Sequence, residues 1–456
     1  MFSLPRLLLL LGPVLGQVLG TSHSFRHIVR RNSFTEPVVP VVPNGYKKLP
    51  VPSKDPWYRP PPGWEATPPG TVLGVRDHAY QGPKGIPDYY DVFQVLYRTT
   101  NSHQKPSYTA TTVFMPESHK TCAETFRNTS NPTNCSSALV SYQLPYDSSC
   151  FDGSPSYSLQ DREPYGDIGI MLKRGYFVSV PDYEGSRASY GANVLAGHAI
   201  LDQFRALRTI LGNYGFKTNS TQFALWGYSS GGSAAAFAAE LAAEYAPDVK
   251  LAGVILGGIT GNMTDSLGLV NRHDVSGLLV HALLGLTEEY PEQRKFLDAQ
   301  LKKEGPYNSS EFYLAQTLPG SAGLAQYMYQ DIYEYFENGR DDVFAPTMLT
   351  PMNNEGLMGL HGTPNMPVFV YQAVSDEMCP IKYVDPLIKK YCSNGANIWM
   401  QRNARGNHNL EGTNGRQRGL NFLGDVIEGT RLTGRPEQGC RIEDGIWYQD
   451  PKVDFY

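Results

Sequence analysis

The chain has 456 residues, a formal net charge of −5, 18% charged residues and 12% aromatic residues. No basic stripe is present, which excludes nucleic acid as a partner class. The length allows two or three domains, or one elaborated α/β domain with a large core.

The first twenty residues read as a signal peptide. Met1 to Arg6 carries one positive charge, Leu7 to Leu11 opens an apolar run to about Leu19, and Val18-Leu19-Gly20 or Val14-Leu15-Gly16 offers a cleavage context. The run is too short, and too interrupted by Gly12-Pro13, to span a membrane. Secretion to the extracellular space without a transmembrane anchor is therefore expected. Arg30-Arg31 is a candidate dibasic processing site. Residues 21–70 form a Pro-rich leader or arm, densest at Pro60-Pro61-Pro62.

Residues 71–256 read as the first part of a sheet domain. Val92–Tyr97 and Tyr108–Phe114 predict an antiparallel hairpin. Strands and helices then alternate. Ala138–Tyr142 is a strand, Ile168–Gly175 a helix closing on glycine, Tyr176–Val180 a strand, and Ala199–Leu211 a helix. The strand Phe223–Trp226 precedes Gly227-Tyr228-Ser229-Ser230-Gly231, an Ala-rich helix follows, and Leu251–Leu256 is the next strand. Continuous apolar strands alternating with helices predict an α/β fold, with a mostly parallel sheet covered on both faces.

The pentapeptide fits G-x-S-x-G between a strand and a helix, the context of a nucleophile elbow. Such a turn holds Ser229 in strained geometry at a helix N-terminus, where amides favour developing negative charge. From Gly257 to about Pro364 the pattern changes to helices without strands, at Leu278–Leu284, Pro291–Lys303 and Leu324–Glu337. Residues 257–364 are accordingly expected to form a helical lid or cap over the C-terminal edge of the sheet. Residues 365–456 return to the sheet, with strands at Val368–Tyr371 and Asn397–Met400.

An elbow serine needs a base oriented by an acid, in the order Ser, Asp/Glu, His. Asp376 and Glu377 follow the strand at 368–371, and Asp376 is favoured because its shorter side chain comes first. Of ten histidines, His408 alone lies downstream, in what reads as a loop; His361, His198, His273 and His281 are fallbacks. His408 would take the Ser229 proton and return it to the leaving group, with Asp376 fixing its tautomer. The oxyanion needs two amides: Ser230, after the nucleophile, and Asp147, in the loop after the strand at 138–142.

Asn128, Asn219, Asn262 and Asn308 head N-glycosylation acceptor sequences, and Asn134 a poorer one. The six cysteines, Cys122, Cys135, Cys150, Cys379, Cys392 and Cys440, lack CxxC spacing, so structural bridges are expected and no metal site is.

The chain resembles the fungal secretory lipases of the lipase A type over about 61–440. The likeness rests on Ser141-Tyr142-Gln143 with Asp147, Pro181-Asp182-Tyr183-Glu184-Gly185, Gly197 to Asp202, the serine pentapeptide, Ser375-Asp376-Glu377, and Cys392 to Ile398 before His408. It implies an α/β-hydrolase with a helical lid and a Ser229-Asp376-His408 triad. It also implies hydrolysis of triacylglycerols and other esters without a cofactor, and an oxyanion role for Asp147. It suggests a Cys392–Cys440 bridge. The lid lacks the cysteine that would pair with Cys150, so Cys150–Cys379 and Cys122–Cys135 are expected. The lid sequence matches poorly, leaving lipase and esterase both open. The expected partner is a lipid or other ester, met by a monomer, with a lipid–water interface as one setting. A secreted serine peptidase on the same fold is the alternative. A binding protein on a dead hydrolase fold is disfavoured because all three triad residues are present.

Overall fold

The computed structural model describes residues 41–42, 48–76, 88–129, 138–160, 166–213 and 216–448. The predicted signal peptide, Arg30-Arg31, Asn134 and Cys135 lie outside them, as does much of the 21–70 leader. Among the described residues the strands are β1 (Val41–Val42), β2 (Val72–Arg76), β3 (Tyr89–Thr100), β4 (Pro106–Pro116), β5 (Ala138–Gln143), β6 (Phe177–Pro181), β7 (Gln222–Tyr228), β8 (Leu251–Gly257), β9 (Val368–Ala373), β10 (Ile398–Asn403) and β11 (Cys440–Gly445). They form one sheet, ordered β1-β2-β3-β4-β6-β5-β7-β8-β9-β10-β11. β3 and β4 make the predicted hairpin, β2 and β6 join it antiparallel, and the other pairings are parallel.

The central strands read as continuous apolar runs because each side of the sheet buries every second residue. Phe223 and Leu225 of β7, with Val254 and Leu256 of β8, pack under helices Asn193–Asn213, Ser230–Tyr245 and Ile381–Ser393. Ala224, Trp226 and Ile255 point the other way, onto helices Gly166–Lys173 and His408–Glu428.

His408 was expected in a loop and instead begins a helix of 21 residues, with Asn407 as its N-cap. Four glycines in that helix hide its periodicity. Two of them are required by packing: a Cβ at Gly415 would lie 2.1 Å from the Tyr371 ring, and one at Gly419 2.7 Å from Trp226. Pro386 similarly disguises Ile381–Ser393.

Between β8 and β9 the described chain is helical, with two isolated bridges and no strand. Helices Met263–Leu269, Gly277–Glu289, Pro291–Gln300 and Pro346–Gly356 share a separate apolar cluster that includes Leu279, Leu283, Phe312, Tyr327 and Phe336. The single helix expected over 324–337 is absent. Tyr329 adopts a φ of 61°, which ends the preceding turn, and Ile332–Tyr335 is a separate 3-10 turn.

Upstream, the Pro-rich residues 48–70 make short 3-10 turns that bury Trp57 and Tyr58 against Leu73, Leu96 and Ala110. Cys392 and Cys440 are bridged across 48 residues, tying Ile381–Ser393 to β11. Cys122 is disulfide-bonded as well. The expected Cys150–Cys379 bridge does not form; both thiols are free and buried. Cys379 turns toward the Asp376 and His408 side chains, while the Cys150 N–H is tied back to Ser148 Oγ at 3.1 Å.

Candidate active site

Ser229 sits between β7 and the helix Ser230–Tyr245 with φ 56° and ψ −126°, a conformation costly for any residue but glycine. Its N–H donates to Gly257 O at 2.9 Å, which pins the turn to β8. The flanking glycines leave no alternative. A Cβ at Gly231 would lie 1.9 Å from Gln143 O, and one at Gly227 2.2 Å from Gly231 O.

Three side chains far apart in sequence meet here. His408 Nε2 lies 2.9 Å from Ser229 Oγ, and His408 Nδ1 lies 2.8 Å from Asp376 Oδ2. Asp376 and His408 are both buried. Asp376 also accepts from the N–H groups of Met378 and Cys379, at 3.1 and 2.6 Å, and from Gln372 Nε2 at 3.0 Å. Those donors fix the direction in which the carboxylate points. The neighbouring acid does something different: exposed Glu377 accepts the His408 backbone N–H at 3.1 Å. Tyr228 adds a hydrogen bond from its hydroxyl to His408 O. Sequence reading missed Tyr228, Glu377 and Gln372 as supports; for Tyr228 the signal was its place inside the pentapeptide.

The fallback histidines lie elsewhere. His198 is buried against Tyr245, and His361 Nε2 is 2.7 Å from Asn354 O. His273 lines a wide cleft beside the site. His281 is buried behind the loop that carries Asp147 and accepts from Ser149 N at 3.0 Å. Burial pushes its pKa down to about 4, so the ring is neutral and Nδ1 is free to accept. Asp147 itself is half-buried, with φ 45°. Its loop is also held by Tyr183, whose hydroxyl donates to Leu144 O at 2.9 Å.

Two spaces meet at Ser229. A narrow cavity of about 40 Å³ is walled by Asp147, Glu184, Ser230, Ala196, Met263 and Leu267. A wider cleft of about 440 Å³ is walled by His408, Asp274, His273, Thr413 and Arg416. Among the described residues, Asp376, Cys379 and His408 have potential metal-ligand atoms within 4.8 Å of one another. The carboxylate and imidazole are already engaged with each other.

Of the predicted sequons, Asn219 is exposed in the turn Thr218–Ser220. Asn262 and Asn308 instead cap helices, accepting from Asp265 N and Glu311 N at 3.1 Å each. Nothing is described of the Asn128 side chain.

The model of the family described as "Secretory lipase" matches residues 166–435, more than half of the chain and the whole region from the β6 approach to the His408 helix. The chain belongs to the secretory lipase family. The chain is 40% identical over 402 residues to a trichothecene C-3 esterase of Fusarium sporotrichioides, covering 86% of this chain and 87% of that one. It is 31% identical over 427 residues to lipase A of Arthroderma benhamiae, covering 90% and 86%. The closed-state crystal structure of Candida antarctica lipase A superposes with a TM-score of 0.72 at 24% identity, covering 85% of this chain and 89% of that one, which shows the shared α/β-hydrolase fold. As a family member the protein is a carboxylic-ester hydrolase.

Proposed function

We propose that this protein hydrolyses esters through an acyl-enzyme on Ser229, with His408 as general base and acid and Asp376 as the orienting carboxylate. The observation that carries the reading is the unbroken run Ser229 Oγ, His408 Nε2, His408 Nδ1, Asp376 Oδ2, with contacts of 2.9 and 2.8 Å. Attack on the ester carbonyl passes the Ser229 proton to His408. The tetrahedral oxyanion is received by the amides of Ser230 and Asp147, each worth about 3 kcal/mol of barrier. His408 then protonates the alcohol as it leaves, and water repeats the cycle on the acyl-enzyme.

That proton path divides the substrate. The leaving alcohol must depart beside His408, and so in the wide cleft that His408 walls. The acyl group occupies the narrow cavity beside Ser230 and Asp147. A narrow acyl space and a wide alcohol space suit a short acyl group on a bulky alcohol better than a long-chain triacylglycerol. The likeness to a protein named a trichothecene C-3 esterase supports the same reading. Residues 257–364 act as the lid that walls both spaces. The Cys392–Cys440 disulfide and the leader at 1–20 support secretion.

Fluorophosphonate labelling of the protein, with Ser229→Ala as control, tests the nucleophile. Labelling that persists in the variant overturns it. Acyl-chain profiling on a fixed alcohol, with a peptide amide in parallel, tests the substrate: acetyl to butyryl esters are expected to lead, and faster amide cleavage would favour a peptidase.

A further inference from the structure

Most polar groups in the wall of the narrow cavity are satisfied by the protein. Ser189 Oγ donates to Glu289, Asn193 Nδ2 to Glu355 O at 2.8 Å, and Ser233 Oγ to Ser229 O at 3.3 Å. Two are not. Both carboxyl oxygens of Glu184 and the hydroxyl of Ser266 are buried with no hydrogen bond of ordinary geometry. Glu184 is 1% exposed and Ser266 4%. They come from different parts of the fold: Glu184 follows β6, and Ser266 lies on the first helix of the insertion. Both line the same narrow space as Ser229.

A buried polar group left without a partner costs on the order of 1–3 kcal/mol, and such groups are rare unless a ligand or water completes them. A purely hydrocarbon acyl chain would leave both unsatisfied and remove any water that served them. Burial, then the nearby Asp147 carboxyl, push the Glu184 carboxyl above the ordinary carboxylate range and so toward its neutral form, although the Ser148 amide and Tyr146 hydroxyl oppose this. A neutral carboxyl and a serine hydroxyl can each donate and accept. That pairing suits a neutral hydroxyl and disfavours a second carboxylate.

We propose that Glu184 and Ser266 are specificity-determining residues that read a hydroxyl on the acyl group, so that the preferred substrates are esters of short hydroxy acids. The inference rests on the assignment of the narrow cavity to the acyl group.

The test is hydrolysis of ethyl esters, in which the alcohol is constant and only the acyl group varies. Ethyl butyrate is compared with ethyl lactate, ethyl 3-hydroxybutyrate and ethyl 6-hydroxyhexanoate. At least one hydroxy ester is expected to exceed butyrate by about 10-fold or more in kcat/KM. Glu184→Leu should bring that pair within about 2-fold by slowing the hydroxy ester selectively. Glu184→Gln, which can still donate and accept, should keep part of the preference, and Ser266→Ala should lose part of it. Equal rates on all four esters in the wild type overturn the inference. So does a uniform loss across all four in Glu184→Leu and Ser266→Ala, which would make both residues supports of the oxyanion loop. Fluorophosphonate labelling separates the failures: an enzyme that labels at Ser229 and ignores the hydroxyl loses only this inference. One that does not label at Ser229 loses the catalytic reading.

Discussion

The narrow cavity and the wide cleft meet at Ser229 and differ in most of their walls. The first is walled largely by the insertion and by the segment after β6, and Glu184 and Ser266 face it without hydrogen bonds of ordinary geometry. The second is walled by the His408 helix and by the segment 269–278, with Asp167 and Arg416 already joined at 2.7 Å. A narrow space selects by volume and by the partners it leaves unmade. A wide one selects weakly and tolerates bulk. The proposed preference for small acyl groups on large alcohols follows from that contrast.

The largest way to break the contrast is to remove what the two spaces share. Ser229→Ala is expected to lower kcat on the order of 10⁵-fold on every ester, whichever end is varied, as read by steady-state kinetics. Asp376→Asn should cost about 10⁴-fold with the fold intact, because the imidazole then takes the wrong tautomer.

The next test concerns His281, which ties the loop that carries Asp147 to the insertion. Its folded pKa of about 4 lies below the ordinary 6.5, so the unfolded chain takes up the proton first. The stability involved is present above pH 6.5 and lost as pH falls from 6.5 toward 4. It amounts to at most about 3 kcal/mol. Asp182 acts in the opposite sense, since burial raises it to about 7 and its contribution is lost as pH rises toward that value. Urea unfolding of wild type and His281→Asn at pH 7 and pH 5 separates the two: the variant should lose less stability on acidification.

The smallest expected effects sharpen the comparison directly. Leu267→Trp, in the wall of the narrow cavity alone, should shift acyl preference toward acetyl by about 10-fold and leave alcohol preference unchanged. Asp274→Ala, in the wall of the wide cleft alone, should do the reverse on a panel of acetate esters, with a change of a few-fold.

The sheet was more legible in the sequence than the insertion. β5, β7, β8 and β9 announce themselves because a doubly buried strand has no choice but to be apolar, and the pentapeptide marks the point where the chain must turn sharply. The order of Ser229, Asp376 and His408 was readable because an α/β sheet brings successive strand ends to one rim. Glu377 could not be separated from Asp376 on chemistry alone; the difference lies in which carboxyl the turn aims at the ring. The helix 408–428 was hidden by glycines whose purpose is contact with Tyr371 and Trp226. In the insertion, short turns depend on single tertiary bonds, such as Tyr327 Oη receiving Ala315 N–H at 2.9 Å, which leave no periodic trace. Asn262 and Asn308 show a motif with two uses, since an N-cap and a sequon share the same residue types.

Asp147, Ser229, Val270, Leu278 and Met378 belong to the walls of both spaces. Val270 and Leu278 lie in the insertion, whose apolar cluster is separate from those of the sheet. Drift in that segment can proceed without threatening the rim that holds the nucleophile. Each accepted change at a shared position, however, retunes both halves of the ester together. Descendants of such an enzyme should therefore diverge in matched acid–alcohol pairs, with neither half of the substrate inherited independently of the other.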